Sequence, residues 1–160
     1  MKHIEHTTNE VIKKLSLSVP INLNEIAIAF NVQIKKAASD EFSGVLYRKD
    51  GIAFMAISTK ESQERQRFTV AHEFGHFFLH QDKNTFIEFR NKTKDAVKSI
   101  KEREANQFAA ALLMPKTFLE KDIKNLSRDS ILENEIKYLA EKYKVSTDAM
   151  TYRLINLNLF

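Results

Sequence analysis

Three of the five histidines in this 160-residue chain fall within nine residues, in the stretch RFTVAHEFGHFFLH at positions 67–80. His72 and His76 stand four apart, a spacing that on a helix sets both rings side by side on one face, able to chelate one Zn²⁺. Glu73 is one residue further on, about 100° round the helix. From there its carboxylate reaches a water at the metal without being forced into the ligand set. It can take that water's proton during attack on a carbonyl and then pass it to the leaving amine. Zinc makes this feasible at neutral pH by lowering the water's pKa to about 7. The competing explanation is an amphipathic core helix that happens to hold two histidines, and Phe68, Val70, Ala71, Phe74, Phe77, Phe78 and Leu79 fit it. Chance, however, places this His-Glu-x-x-His pattern only about 0.01 times in a chain of this composition.

Two helical histidines leave zinc short of a third protein ligand. The chain has no cysteine, which removes a thiolate ligand, a disulfide framework and a cysteine nucleophile together. His80 lies about 12 Å along the helix axis from His72, too far to share one ion. It reads as a group orienting a ligand, a substrate contact at a pocket rim, or a packed helix-end histidine. A carboxylate is available in KEREANQFAAALLMP at positions 101–115. There Glu102 and Asn106 share one helix face, while Ala105 and Ala109 leave room for another helix to come close. A glutamate from this helix completes a His₂Glu set with an open fourth position. Asn106 can accept a hydrogen bond from a ligand histidine and so fix its tautomer. Glu104 is the alternative third ligand, and either glutamate alone would pass for a solvated helix carboxylate.

Together, these two blocks closely resemble the ImmA/IrrE family of metallopeptidases, a gluzincin-like group. The resemblance extends over roughly residues 20–160 and includes the ending LAEKYKVSTDAMTYRL at positions 139–154. In related gluzincins the metal glutamate stands four residues before an Asp or Asn, in a Glu-x-x-Ala-Asp/Asn pattern. That resemblance makes Glu102 the ligand and Asn106 the residue behind a histidine. It also implies one Zn²⁺ per chain and a protein substrate, a helix-turn-helix repressor of a prophage, mobile element or stress regulon.

The elements that must hold these residues begin with a helix over 7–17, where Val11, Ile12 and Leu15 recur at helical spacing. Pro20 ends it, and Asn22 or Asn24 can cap a short second helix through Ile26, Ala29 and Phe30. The period then changes to alternation at 32–35, 43–47 and 52–57, with a hairpin turn at Asp50-Gly51. From Ser62 the pattern is helical, with breaks near 81–94, at Pro115, around 125–130 and around 145–146. The expected fold is α+β: a small three-stranded antiparallel or mixed sheet on a mainly helical, zincin-like domain spanning 1–160. In the stretch 81–94, Phe86 and Phe89 either rim a substrate groove or form a satellite apolar cluster. Gly75 predicts a close approach to the metal helix, at about 1 kcal/mol of helix propensity relative to Ala.

The C-terminal subregion, 131–160, reads as helix, short turn, helix, resembling the entry to a DNA-recognition helix. Against that role, it carries 4 basic and 4 acidic residues and spends Met150, Leu154, Ile155 and Leu157 on apolar contacts. A packing module walling the cleft is the better expectation. Tyr152 and Arg153 then become candidates for oxyanion or substrate contacts, or else plain surface residues. The formal charge of +4 is thinly spread, with 8 basic against 7 acidic residues in 1–61 and 7 against 5 in 81–104. No basic stripe of the kind nucleic acid requires is present, so direct nucleic-acid binding is not expected. The N-terminus lacks the apolar core of a secretory signal and no window is long and apolar enough to span a membrane, so a cytoplasmic location is expected. The expected function is a zinc endopeptidase acting on a DNA-binding regulator. Its alternatives are a non-proteolytic zinc protein that binds a repressor, or a DNA-binding regulator working through 131–157.

Overall fold

The computed structural model describes residues 1–90, 99–126 and 131–160. Helix α1 (Lys2–Lys14) buries Ile4, Thr8, Val11 and Ile12 along one stripe. It begins earlier than the spacing of Val11, Ile12 and Leu15 indicates, because Ile4 and Thr8 extend the same buried face. Asn22 caps α2 (Leu23–Ala29), its side-chain oxygen accepting from the backbone N–H groups of Asn24 and Glu25.

Strands β1 (Val32–Ala37), β2 (Phe42–Lys49) and β3 (Ile52–Ser58) follow. Asp50 and Gly51 join β2 to β3 with φ of 52° and 78°, the paired positive values of a twisted two-residue hairpin turn. A fourth strand, β4 (Thr85–Phe89), lies within the stretch expected to be a break, and the sheet order is β1-β3-β2-β4. The sheet is therefore four-stranded and mixed, not three-stranded: β1 runs parallel to β3, while β2 is antiparallel to both β3 and β4. As a five-residue terminal strand that buries only Phe86, β4 shows no full alternation for the sequence to display. The remainder of the 81–94 stretch, from 91 onward, and the greater part of the 125–130 break lie outside the described residues.

Helix α3 (Gln63–Leu79) starts at Ser62, whose hydroxyl accepts from the Arg65 N–H, and it buries every residue from 69 to 76. A helix buried all round must be covered on both sides. Strands β2 and β3 lie against one side, and α4 (Ile100–Leu113) packs against the other. Gly75 allows that approach: a Cβ there would fall 2.8 Å from the Ala105 Cα and 3.0 Å from its carbonyl oxygen. After Pro115 come α5 (Lys116–Asn125), α6 (Glu133–Tyr143) and α7 (Thr147–Asn156). Helices α6 and α7 pack on each other across a short turn. Met150 and Leu154 are buried and Leu157 is partly buried against the core, but Ile155, expected to be apolar contact, is half exposed. This geometry is a helix pair docked on the core.

Candidate active site

The Nε2 atoms of His72 and His76 lie 3.2 Å apart on the buried face of α3. Glu102, in the first turn of α4, puts Oε1 at 3.1 Å from His76 Nε2 and Oε2 at 3.4 Å from His72 Nε2. The donor atoms of these three residues all fall within 4.8 Å of one another. Zinc bonds of about 2.0–2.1 Å arranged as a tetrahedron separate neighbouring ligand atoms by roughly 3.3–3.4 Å. The three residues therefore offer the donor chemistry of a His₂Glu metal site, each Glu102 oxygen reaching one of the two histidines.

The groups behind the ligands agree with that assignment. If both Nε2 atoms face a metal, both Nδ1 atoms carry the protons. His72 Nδ1–H then donates to Asn106 Oδ1 at 2.8 Å. His76 Nδ1–H donates to His80 Nδ1 at 2.9 Å, which leaves His80 Nε2–H to donate to Glu104 Oε2 at 3.0 Å. Every ring nitrogen thus has one role with no conflict, and such partners hold a ligand ring in one tautomer and orientation. His80 stands behind His76, and Glu104 stands behind His80 rather than among the three converging donors. Burial holds His76 below the ordinary histidine pKa, against the opposing pull of Glu102, and favours the neutral ring that metal binding requires. Burial pushes the Glu102 carboxyl up, but the His72 and His76 imidazoles beside it outweigh burial and hold the group well below the usual carboxylate range.

Glu73 is fully buried between α3 and β2. Room for it comes from Gly44, where a Cβ would lie 3.1 Å from Glu73 Oε1 and 2.5 Å from Thr69 Cγ2. Opposite Gly44 across the β2–β4 ladder stands Glu88. Residues directly opposite in an antiparallel pair share a face of the sheet. Strand β4 accordingly lays alternate side chains on the two histidines: the Phe86 ring stacks on His76 at 4.0 Å, and Glu88 Oε2 comes within 3.4 Å of His72 Nε2. Phe89, the other aromatic of that stretch, is exposed.

Gly44, Glu88 and Arg48 were missed in the sequence. A glycine inside a strand was the available signal for Gly44; Glu88 gives none until β4 is recognised. Arg48 sits at the C-terminal end of α3, its guanidinium donating to the carbonyls of His76, Phe77, His80 and Lys83. A cation on the last carbonyls of a helix is favourably placed, and this one fixes the end of α3. Tyr152 and Arg153 lie elsewhere, in the wall of a cavity of about 530 Å³ that also takes in Phe68, Gln107 and Ala110. Arg153 is buried, its Nε donating to the Met114 carbonyl and its Nη1 paired with Glu5 at 2.7 Å, whereas Tyr152 is largely exposed.

The comparisons with known proteins cover the part of the chain that holds this site. A metallopeptidase family model described as the IrrE N-terminal-like domain matches residues 27–155, a span that contains α3, α4 and all four strands. Metallopeptidase ImmA of Bacillus subtilis (strain 168) is 28% identical over 164 aligned positions, covering 99% of this chain and 88% of that protein. With His72, His76 and Glu102 placed so that they could hold a metal ion and a buried glutamate on α3, all inside the matched span, this chain belongs to the ImmA/IrrE family of metallopeptidases.

Proposed function

We propose that residues 1–160 act as one zinc endopeptidase domain, with His72, His76 and Glu102 holding one zinc ion and Glu73 serving as the general base. The observation that carries this is the convergence of two imidazole nitrogens and a carboxylate, within 4.8 Å of one another, beside a fully buried glutamate. Zinc, when bound, supplies a Lewis acid for the scissile carbonyl and lowers the pKa of a water nearby. Glu73 takes the proton of the attacking water and returns it to the leaving amine, so one carboxylate serves both halves of the hydrolysis. Asn106 and the His80–Glu104 pair hold the ligand rings in place. Gly44 keeps β2 clear of the Glu73 carboxylate.

The substrate is a protein, which we take to be a helix-turn-helix transcriptional repressor of a prophage or other mobile element, cleaved in the cytoplasm. Strand β4 ends the sheet and carries Phe86 and Glu88 onto the site, so a peptide added in extended form along β4 passes beside the ligands. Tyr152 and Arg153 belong to the wall of a cavity that starts at Phe68, one helical turn before His72, and they are assigned to substrate side chains there. No helix among the described residues is long and apolar enough to cross a membrane. The chain's +4 charge, with no segment strongly basic, favours a protein partner over nucleic acid.

The test is incubation with the repressor encoded beside the chain's own gene, with and without a chelator, read by intact mass. Two fragments whose masses sum to the repressor plus one water, absent when chelator is added, are expected. Release of an uncut repressor from its operator would instead identify a binding regulator.

A further inference from the structure

The two side-chain rows that form the site run on past it. On α3, Phe68, His72 and His76 recur every four residues, and on α4, Ala110, Asn106 and Glu102 do the same in the opposite direction. The His72–Asn106 hydrogen bond bridges the rows at 2.8 Å. Four residues beyond it on each helix, about 6 Å along the axis, Phe68 and Ala110 open into the cavity of about 530 Å³. Helix α7 lines that cavity with Ala149 and Tyr152, and α1 closes it with Ile4 and Glu5. Its charged lining residues balance, Glu5 and Glu64 against Arg65 and Arg153. The most deeply buried of them, Arg153, is neutralised by Glu5 at 2.7 Å. A charged side chain entering such a space gives up hydration and meets no net charge of opposite sign, whereas an apolar one gains by burial. The volume lies in the range of ligand pockets, about 300–1,000 Å³.

We propose that this cavity is the specificity pocket of the peptidase, taking a large apolar side chain, the size of Leu, Met, Phe or Tyr, from a substrate residue within two positions of the scissile bond. This rests on the endopeptidase reading above. Two residues of extended chain span about 7 Å, close to the helical turn that separates Phe68 from His72. Alternate side chains of an extended peptide point to opposite sides, so a peptide held along β4 turns one set towards α3 and α4. Glu5 keeps the pocket without net charge by cancelling that of Arg153, and Ala149 sets its size by leaving space that a larger residue would occupy. The α1 wall lies outside residues 27–155, so the span that the family model matches does not fix this part of the pocket.

The test uses the full chain supplied with zinc and a peptide mixture made by digesting a cell extract with trypsin, the new cut sites being read by mass spectrometry. Wild type should show large apolar residues enriched at one position within two of the cut. Ala149→Phe fills the pocket and should lower cleavage at those residues about tenfold relative to Ala, Gly and Ser at the same position. Glu5→Gln leaves the Arg153 charge uncancelled and should raise cleavage at Asp and Glu there about tenfold over wild type. A misfolded protein would show no such gain. Binding is read separately, by titrating N-acetyl-phenylalaninamide into the chain labelled at its methionine methyl groups. The NMR signals of Met1 and Met114, from the cavity wall, should move while that of Met55, in β3, stays. Ala149→Phe should abolish the movement. Preferences identical to wild type in both variants would overturn this inference, as would an amide that moves no cavity methyl. A wild-type chain that cuts no peptide overturns the endopeptidase reading and the substrate role together; cleavage with unaltered preferences overturns this inference alone.

Discussion

The helical wall of the site and its strand wall are built by different rules. On the helical side, the i, i+4 pair His72 and His76 of α3 faces the i, i+4 pair Asn106 and Glu102 of α4, running the other way. Each helix repeats one short spacing, and Gly75 against Ala105 brings the two spacings together. On the strand side, Gly44 and Glu88 are 44 positions apart in the chain and meet only through the β2–β4 register. Ligand chemistry therefore resides in local spacing. What covers the ligands, and what makes room for the base, resides in strand pairing.

The largest effects should come from breaking the helical wall. Glu102→Ala removes a ligand and should leave a chain that retains no zinc after dialysis and cleaves nothing. Glu104→Ala should keep both zinc and cleavage, with affinity reduced by about tenfold because His80 loses its acceptor. Metal analysis of the dialysed proteins distinguishes them, and the reverse pattern would move the ligand from Glu102 to Glu104.

A strand-wall change should spare the metal and damage the chemistry. Gly44→Ala drives a methyl into Thr69 and against the Glu73 carboxylate. Displacing the base by a fraction of an ångström to an ångström should lower kcat by up to about 10²-fold, with zinc content unchanged. Overpacking at the same contact should cost about 1–3 kcal/mol of stability, measurable by denaturant unfolding. If Gly44→Ala instead lost zinc and kept its kcat when metal was restored, the division between the walls would be wrong.

The smallest expected effects separate the two supported ligands. Asn106→Ala and His80→Ala should each weaken zinc binding by about 10–100-fold. His80→Ala should be the worse, because it strands both the His76 Nδ1–H and the Glu104 carboxylate. Chelator competition on the two variants checks the order.

The same contrast governs how much was legible in the sequence. Helix α1, with no side-chain cap, begins before the expected residue 7, whereas the starts of α2 and α3 were readable because their caps are local: Asn22 and Ser62 each accept a hydrogen bond within three residues. The Asp50-Gly51 turn was readable for the same reason, since both residues tolerate positive φ. The choice of Glu102 over Glu104 came from the family pattern, whereas the pairing of His72 with His76 was legible because i, i+4 spacing fixes a face before any tertiary contact forms. Strand β4 was not, because a five-residue end strand with one buried side chain carries almost no alternation. Without β4, neither the stacking of Phe86 on His76 nor the approach of Glu88 to His72 could be seen. The His80–Glu104 link was also hidden, since it depends on how far α4 slides along α3. The partners of Arg153 were hidden as well, since the Met114 carbonyl and Glu5 reach it from the end of α4 and from α1.

Glu73→Gln tests the central claim most directly, because it removes the base and leaves every proposed ligand in place. Zinc content by metal analysis and repressor cleavage by intact mass should be measured on the same preparation. The account predicts one zinc per chain as in wild type, with cleavage slowed by about 10²–10⁴-fold or abolished. A Glu73→Gln protein that holds zinc and cleaves at the wild-type rate would contradict it.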